Sequence, residues 1–163
     1  MANKLTSFFR EKKIVCLGGG VGTVNLISGL KKYTKNITVV ISMADEGGSA
    51  GRLRRLYNIF PPGDLISCMA AMSKNTKLPI KELLTYRFNG NRYGKDEHLV
   101  GHKLGNLMMV ALRDITGDFE KAIATLQKML SVEGTFFPAT NDAVSISAKT
   151  IEGKEIFGEE KID

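Results

Sequence analysis

Between Lys12 and Met43 the chain runs strand, glycine turn, helix, strand, an order that few folds accommodate. Lys12 to Leu17 reads as a short buried strand that stops at Gly18-Gly19-Gly20-Val21-Gly22. Thr23, Leu26, Ile27 and Leu30 then recur at helical spacing, and Ile37 to Met43 is rich in β-branched residues, as a second strand would be. Strands in this sequence are joined by a helix rather than by a tight turn, which is how parallel neighbours connect. The expected fold is therefore α/β: a Rossmann-like parallel sheet with flanking helices.

Downstream, Ala44 to Gly51 reads as a loop, and Leu53, Leu56, Tyr57 and Phe60 as one stripe of a short helix. Pro61-Pro62-Gly63 breaks that helix, and Asp64 is placed to cap the next, whose inner face is Leu65, Cys68, Met69 and Met72. Ile80 to Phe88 reads as another short helix, and Asn89 to His98 as a polar, mobile loop. Leu104, Leu107, Met108, Ala111, Leu112 and Ile115 mark an amphipathic helix ended by Gly117. Asp118 caps a further one that buries Phe119, Ala122, Ile123, Leu126 and Leu130. Short strands follow at Thr135 to Phe137, Val144 to Lys149 and around Ile156, with Glu152-Gly153 as a hairpin turn. The chain stops within this β-rich stretch, so the sheet is expected to be incomplete at its C-terminal end.

The 163 residues, 43% hydrophobic and 25% charged, suit one soluble domain with a core of its own. A net charge of +6 suggests an anionic partner, but no run of five like charges marks a nucleic-acid tail. Cys16 and Cys68 lack CxxC spacing and lie in apolar surroundings, as buried free thiols of a reducing compartment do. His98 and His102 are the only histidines, too few for a His/Cys zinc cluster. Residues 1–12 read as an N-terminal extension without a signal-peptide core, and no apolar run has the length of a bilayer span. The expectation is a cytoplasmic protein with its domain at 13–163, no nucleic-acid partner and no membrane span.

Chemistry is expected where the strands end. Glycines at 18–22 let the backbone turn tightly and approach a phosphate, and the following helix offers free N–H groups and a positive dipole end. Thr23 stands where the third glycine of a G-x-G-x-x-G would be, and no P-loop pattern is present. Asp45, just past the second strand, suits a ribose hydroxyl or, with Glu46, a divalent metal. Gly47-Gly48-Ser49-Ala50-Gly51 is a second candidate anion nest, followed by Arg52, Arg54 and Arg55. Asp64 is either a helix cap or a carboxylate aimed at a metal or hydroxyl. His102 and Asn106, one turn apart, open the long helix. Together these point to a nucleotide-type ligand at the C-terminal edge of a parallel sheet.

Taken in order, these motifs, with Tyr86-Arg87-Phe88, Gly101-His102-Lys103-Leu104-Gly105-Asn106, Ile115-Thr116-Gly117-Asp118-Phe119 and Pro138-Ala139-Thr140, resemble the gluconeogenesis-factor branch of the 2-phospho-L-lactate transferase superfamily. The resemblance runs from Lys13 to the C-terminus, about half the length usual in that family. It implies a regulatory protein that binds a UDP-sugar such as UDP-N-acetylglucosamine and supports cell shape and growth on gluconeogenic carbon sources. On that reading Gly19, Gly20 and Gly22 cradle phosphate, Asp45 meets ribose or metal, and Gly47, Gly48 and Ser49 form the second nest. Arg52 is the charge partner, His102 and Asn106 complete the site, and Asp45 and Asp64 are candidate Mg2+ ligands. The alternative is a phospholactyl-type transferase using a nucleotide-activated donor and Mg2+; a nicotinamide-dependent oxidoreductase lacks an evident hydride-transfer site. The family pattern is departed from at Glu46 (aspartate), Ala50 and Lys103 (serines) and Val21 (threonine). An incomplete sheet also implies an exposed apolar edge, and so a homo-oligomer or association through that edge.

Overall fold

A computed structural model describes residues 7–74, 79–90, 98–142 and 144–162. The order is β1 (Ile14–Gly18), α1 (Gly20–Leu30), β2 (Ile37–Ile41), α2 (Gly48–Tyr57), α3 (Gly63–Met72), α4 (Ile80–Thr85), α5 (Leu104–Thr116), α6 (Phe119–Leu130) and β3 (Thr135–Pro138). An antiparallel hairpin, β4 (Ser147–Lys149) and β5 (Glu155–Phe157), and a 3-10 turn at Glu159–Lys161 follow. The first three strands form a parallel sheet in the order β1-β2-β3, with Cys16 opposite Val39 and Val39 opposite Phe136. The fold class is thus the one the sequence implies. Most of the polar segment read at 89–98, residues 91–97, lies outside the described residues.

Alternation decides which side chains of the sheet are buried. Cys16, Ile37, Val39, Ile41 and Phe136 share one face and pack with Ile27 of α1, Leu65, Met69 and Met72 of α3, and Ala122 and Leu126 of α6. Helix α3 is buried nearly all round, as a helix apolar on every side must be. Within this core burial raises the thiol pKa of Cys16. Burial, then Asp64 and Cys16, push Cys68 up to about 12. Both thiols are free and protonated at neutral pH.

Among the described residues the opposite face is largely uncovered: Val15 and Phe137 are exposed and Leu17 is 78% exposed, while Thr38 and Val40 are half-buried. Parallel sheets are normally covered on both faces. The exposed apolar surface therefore includes the β1 and β3 residues of this sheet face, in addition to the edge at β1, which pairs only with β2 among the described strands. No described helix is long and apolar enough to cross a membrane.

Some boundaries and buried faces differ from the sequence reading. Helix α2 begins at Gly48, inside the expected loop, and it buries Ser49, Ala50 and Leu53 while Leu56 and Tyr57 face solvent. Small residues at 49–51 allow that first turn to pack closely, with Ala50 Cβ against Gly63. Helix α4 ends at Thr85, because Phe88 N–H donates to the His102 carbonyl, Gly101 N–H to Phe88 and Leu104 N–H to Tyr86, making a short antiparallel ladder. In α5 the buried face is Gly105, Asn106, Met109 and Val110, while Ala111 and Ile115 are exposed. In α1 Leu26 is likewise exposed.

Candidate functional site

The first glycine loop joins β1 to α1. Gly20 opens the helix at φ +66°, a left-handed conformation that favours glycine, and the N-cap Gly19 brings no side chain to the free N–H groups. Thr23 is buried, and its Oγ1 donates to the Gly19 carbonyl at 3.1 Å. The residue at the third-glycine position thus pins the loop from behind. Gly22 lies exposed in the first turn of α1 with open space around it.

The second loop follows β2. Asp45 Oδ1 accepts the Gly47 N–H at 2.9 Å, an Asx turn that shapes the approach to α2. Gly48 then enters the helix at φ +53°, again with no side-chain cap. Asp64 does not cap α3: Pro62 is the N-cap, and the Asp64 carboxylate leans instead against Gly19, where it would block a Cβ. Asp45 Oδ2 lies 3.6 Å from the position a Gly63 Cβ would take. The N-termini of α1, α2 and α3 therefore meet around Gly19, Gly47 and Gly63. Backbone donors and positive helix ends collect there, at the C-terminal ends of β1 and β2.

A basic rim surrounds this point. Arg52 Nη2 donates to the Val100 carbonyl at 2.7 Å. Arg87 Nη1 donates to the Gly101 carbonyl at 2.7 Å and to Ser49 Oγ at 3.4 Å. Lys103, the N-cap of α5, donates from Nζ to Ser67 Oγ at 3.0 Å. Arg54 turns away: it bonds the Val144 carbonyl and lies 3.7 Å from Glu46. Glu46 is likewise engaged elsewhere. Its N–H donates to Glu159, its carboxylate accepts Ser145 Oγ–H and the Glu159 N–H, and so it fastens the C-terminal hairpin to the second loop. These hydrogen bonds, Ser145 foremost, with Arg54 and Arg55, hold the Glu46 carboxyl below its usual range against the opposing effect of desolvation. The Asp45-Glu46 pair is thus divided, with only Asp45 turned to the glycine loops.

His102 and Asn106 are 4% and 1% exposed, and neither His102 Nδ1 nor Asn106 Oδ1 has a hydrogen-bond partner among the described residues. His102 precedes α5, while Asn106 lies in its first turn. Burial, and secondarily Arg52, lower the His102 pKa, so the imidazole is neutral at pH 7. The folded chain then resists a proton that the unfolded chain accepts below its ordinary pKa. The stability contributed by neutral His102 is present above about pH 6.5 and is lost as the pH falls. Urea unfolding at pH 7.5 and 5.5 should show a larger drop in midpoint for the natural chain than for His102→Gln; equal drops would contradict it.

Of the residues expected from sequence, Gly19, Gly20, Asp45, Gly47, Gly48, Ser49 and Asp64 come together, with Arg52 on the rim, while His102 and Asn106 are buried. Arg87, Lys103 and Ser67 were not singled out as site residues. The signals for the first two were the Tyr86-Arg87-Phe88 motif and the lysine inside Gly101-His102-Lys103-Leu104-Gly105-Asn106. A cavity of about 390 Å³ between Arg54, Phe60, Arg113 and Phe119 includes none of the glycine-loop residues. The candidate site is therefore the loops. No group of three or more His, Cys, Asp or Glu placed to hold a metal occurs among the described residues.

Residues 14–163 match the family described as 2-phospho-L-lactate transferase CofD. The Bacillus subtilis gluconeogenesis factor is 40% identical over 153 residues, which cover 94% of this chain and 46% of that protein. A Nostoc sp. relative is 44% identical over 154 residues, covering 94% of this chain and 32% of its own length. A crystal structure of a Bacillus halodurans protein superposes with a TM-score of 0.83 at 37% identity, covering 93% of this chain and 47% of that one. The chain thus spans about a third to just under a half of the length of the curated relatives it matches.

Proposed function

The chain belongs to the 2-phospho-L-lactate transferase CofD family, and from that premise we propose that it binds a UDP-sugar on its two glycine loops and serves a regulatory, gluconeogenesis-factor role. The observation that carries the reading is the meeting of three uncapped helix N-termini at Gly19, Gly47 and Gly63, with Arg52, Arg87 and Lys103 around them. Such a place favours phosphate oxygens: N–H groups and helix dipoles face them, and arginine adds paired donors. The relatives named gluconeogenesis factor support the gluconeogenic part of the reading, and the regulatory role in cell shape and growth on gluconeogenic carbon sources rests on the resemblance of the motifs.

The test is a calorimetric titration of the folded chain with UDP-N-acetylglucosamine. Saturable binding is expected, weakened about tenfold by Arg52→Ala, in line with loss of one charge-assisted contact. A folded chain that shows no saturable heat overturns the reading. The convergence of Asp45 and Asp64 favours one alternative, a phospholactyl-type transferase with Mg2+ on those carboxylates. Mg2+-dependent turnover of a nucleotide-activated phospholactate would establish it instead.

A further inference from the structure

Asp45 and Asp64 set two negative charges beside a backbone arranged for anions, and an anion enters only once they are offset. A magnesium ion is one means, since it is commonly held by one or two carboxylates together with phosphate oxygens. The chain itself carries another. Lys103 stands half-buried at the N-cap of α5 and donates from Nζ to Ser67 Oγ at 3.0 Å. Ser67 lies three residues after Asp64 in α3, so the two side chains share one face of that helix. Ser67 Oγ in turn donates at 2.8 Å to the carbonyl of Gly63, the residue bordered by Asp45 Oδ2. The hydroxyl uses its donor and an acceptor position at once, which fixes the ammonium over the first turn of α3. Burial and Arg87 lower the Lys103 pKa, while Asp64 and Asp45 raise it, so both acids act on this ammonium.

We propose that Lys103 is the resident cation of the Asp45–Asp64 site, taking the role of a divalent metal, so that phosphate-bearing ligands are held there without one. For the ligand this rests on the nucleotide-sugar reading above; for the cation it rests on Lys103, Ser67 and the two acids alone. With the Lys103 ammonium acting on both, the carboxylates offer less net charge with which to draw a second cation. The donor set therefore does not suit magnesium.

The experiment titrates Mn2+ alone into the purified chain and follows the free-ion electron paramagnetic resonance signal, with circular dichroism confirming the fold of each variant. The natural chain should take up no stoichiometric Mn2+ up to about 1 mM, a range in which weak oxygen-ligand sites would fill. Lys103→Ser should gain one equivalent bound at least tenfold more tightly, and Asp64→Asn in that background should remove it. Lys103→Gln, which keeps most of the stem, is measured alongside and should gain the same site. Stoichiometric uptake by the natural chain that Asp64→Asn abolishes would overturn the proposal, as would folded serine and glutamine variants that gain nothing. Failure of UDP-N-acetylglucosamine to bind is a separate result that strikes the nucleotide-sugar reading, because Mn2+ uptake is judged without nucleotide.

Discussion

Gly51→Ala should lower the stability of the chain by about 3 kcal/mol or more, at the severe end for a single substitution. A Cβ at this position would fall on the carbonyl group of Glu46, with the Glu46 Cα at 3.2 Å. These are backbone atoms, so no rotamer change relieves the overlap. Gly51 cannot retreat either: it is buried in the first turn of α2, and its N–H donates to the Gly47 carbonyl at 2.9 Å. Glu46 is itself held on several sides, by Ser145 and Glu159 and by Arg55 Nη1 on its carbonyl at 3.3 Å. Moving Glu46 therefore loosens the C-terminal hairpin together with the second glycine loop. Urea unfolding should show the lowered midpoint, and limited proteolysis should cut the hairpin around exposed Ile151 sooner than in the natural chain. A loss below about 1 kcal/mol would mean that the loop does not approach the helix in this way.

What the sequence discloses and what it withholds divide along local and long-range lines. Helix α6 is legible in full: Phe119, Ala122, Ile123, Leu126 and Leu130 are all buried, and Asp118 accepts the Lys121 N–H at 2.8 Å, because one face meets the core and the other meets water. The first glycine loop is legible for a similar reason, since the backbone turn it requires is specified within a few residues. Helix α2 is less so. Three glycines within five residues read as loop, yet their smallness is what lets the helix start against Gly63 and Glu46. The uncovered sheet face is not legible either, because Val15 and Leu17 are as apolar as strand residues covered on both sides. Periodicity reports which residues alternate, not what lies over them. Asp64 has the position of a cap in sequence, but in space its carboxylate stands against Gly19. Arg87, Ser67 and Lys103 reach the loops only through tertiary packing of α3, α4 and α5, which no spacing rule encodes.

Gly19→Ala should have the opposite profile to Gly51→Ala: little change in stability, within about 1 kcal/mol, and at least a tenfold loss of affinity for UDP-N-acetylglucosamine. Gly19 has φ −148° and ψ −173°, an extended conformation that alanine adopts without strain. What its Cβ meets is Asp64 Oδ2, the far end of a side chain that can rotate away. Folding therefore survives the substitution, but the site does not. The added methyl and the displaced carboxylate stand where a phosphate would approach the N-terminus of α1, and close approach is the reason for glycine in such a loop. Gly29→Ala serves as the control in the same helix, since its Cβ meets nothing within 4 Å, and it should leave the affinity unchanged. Wild-type affinity in Gly19→Ala would move the phosphate away from the first loop. Loss of affinity without loss of stability ties the ligand to Gly19 itself, because general loosening of the domain would lower both.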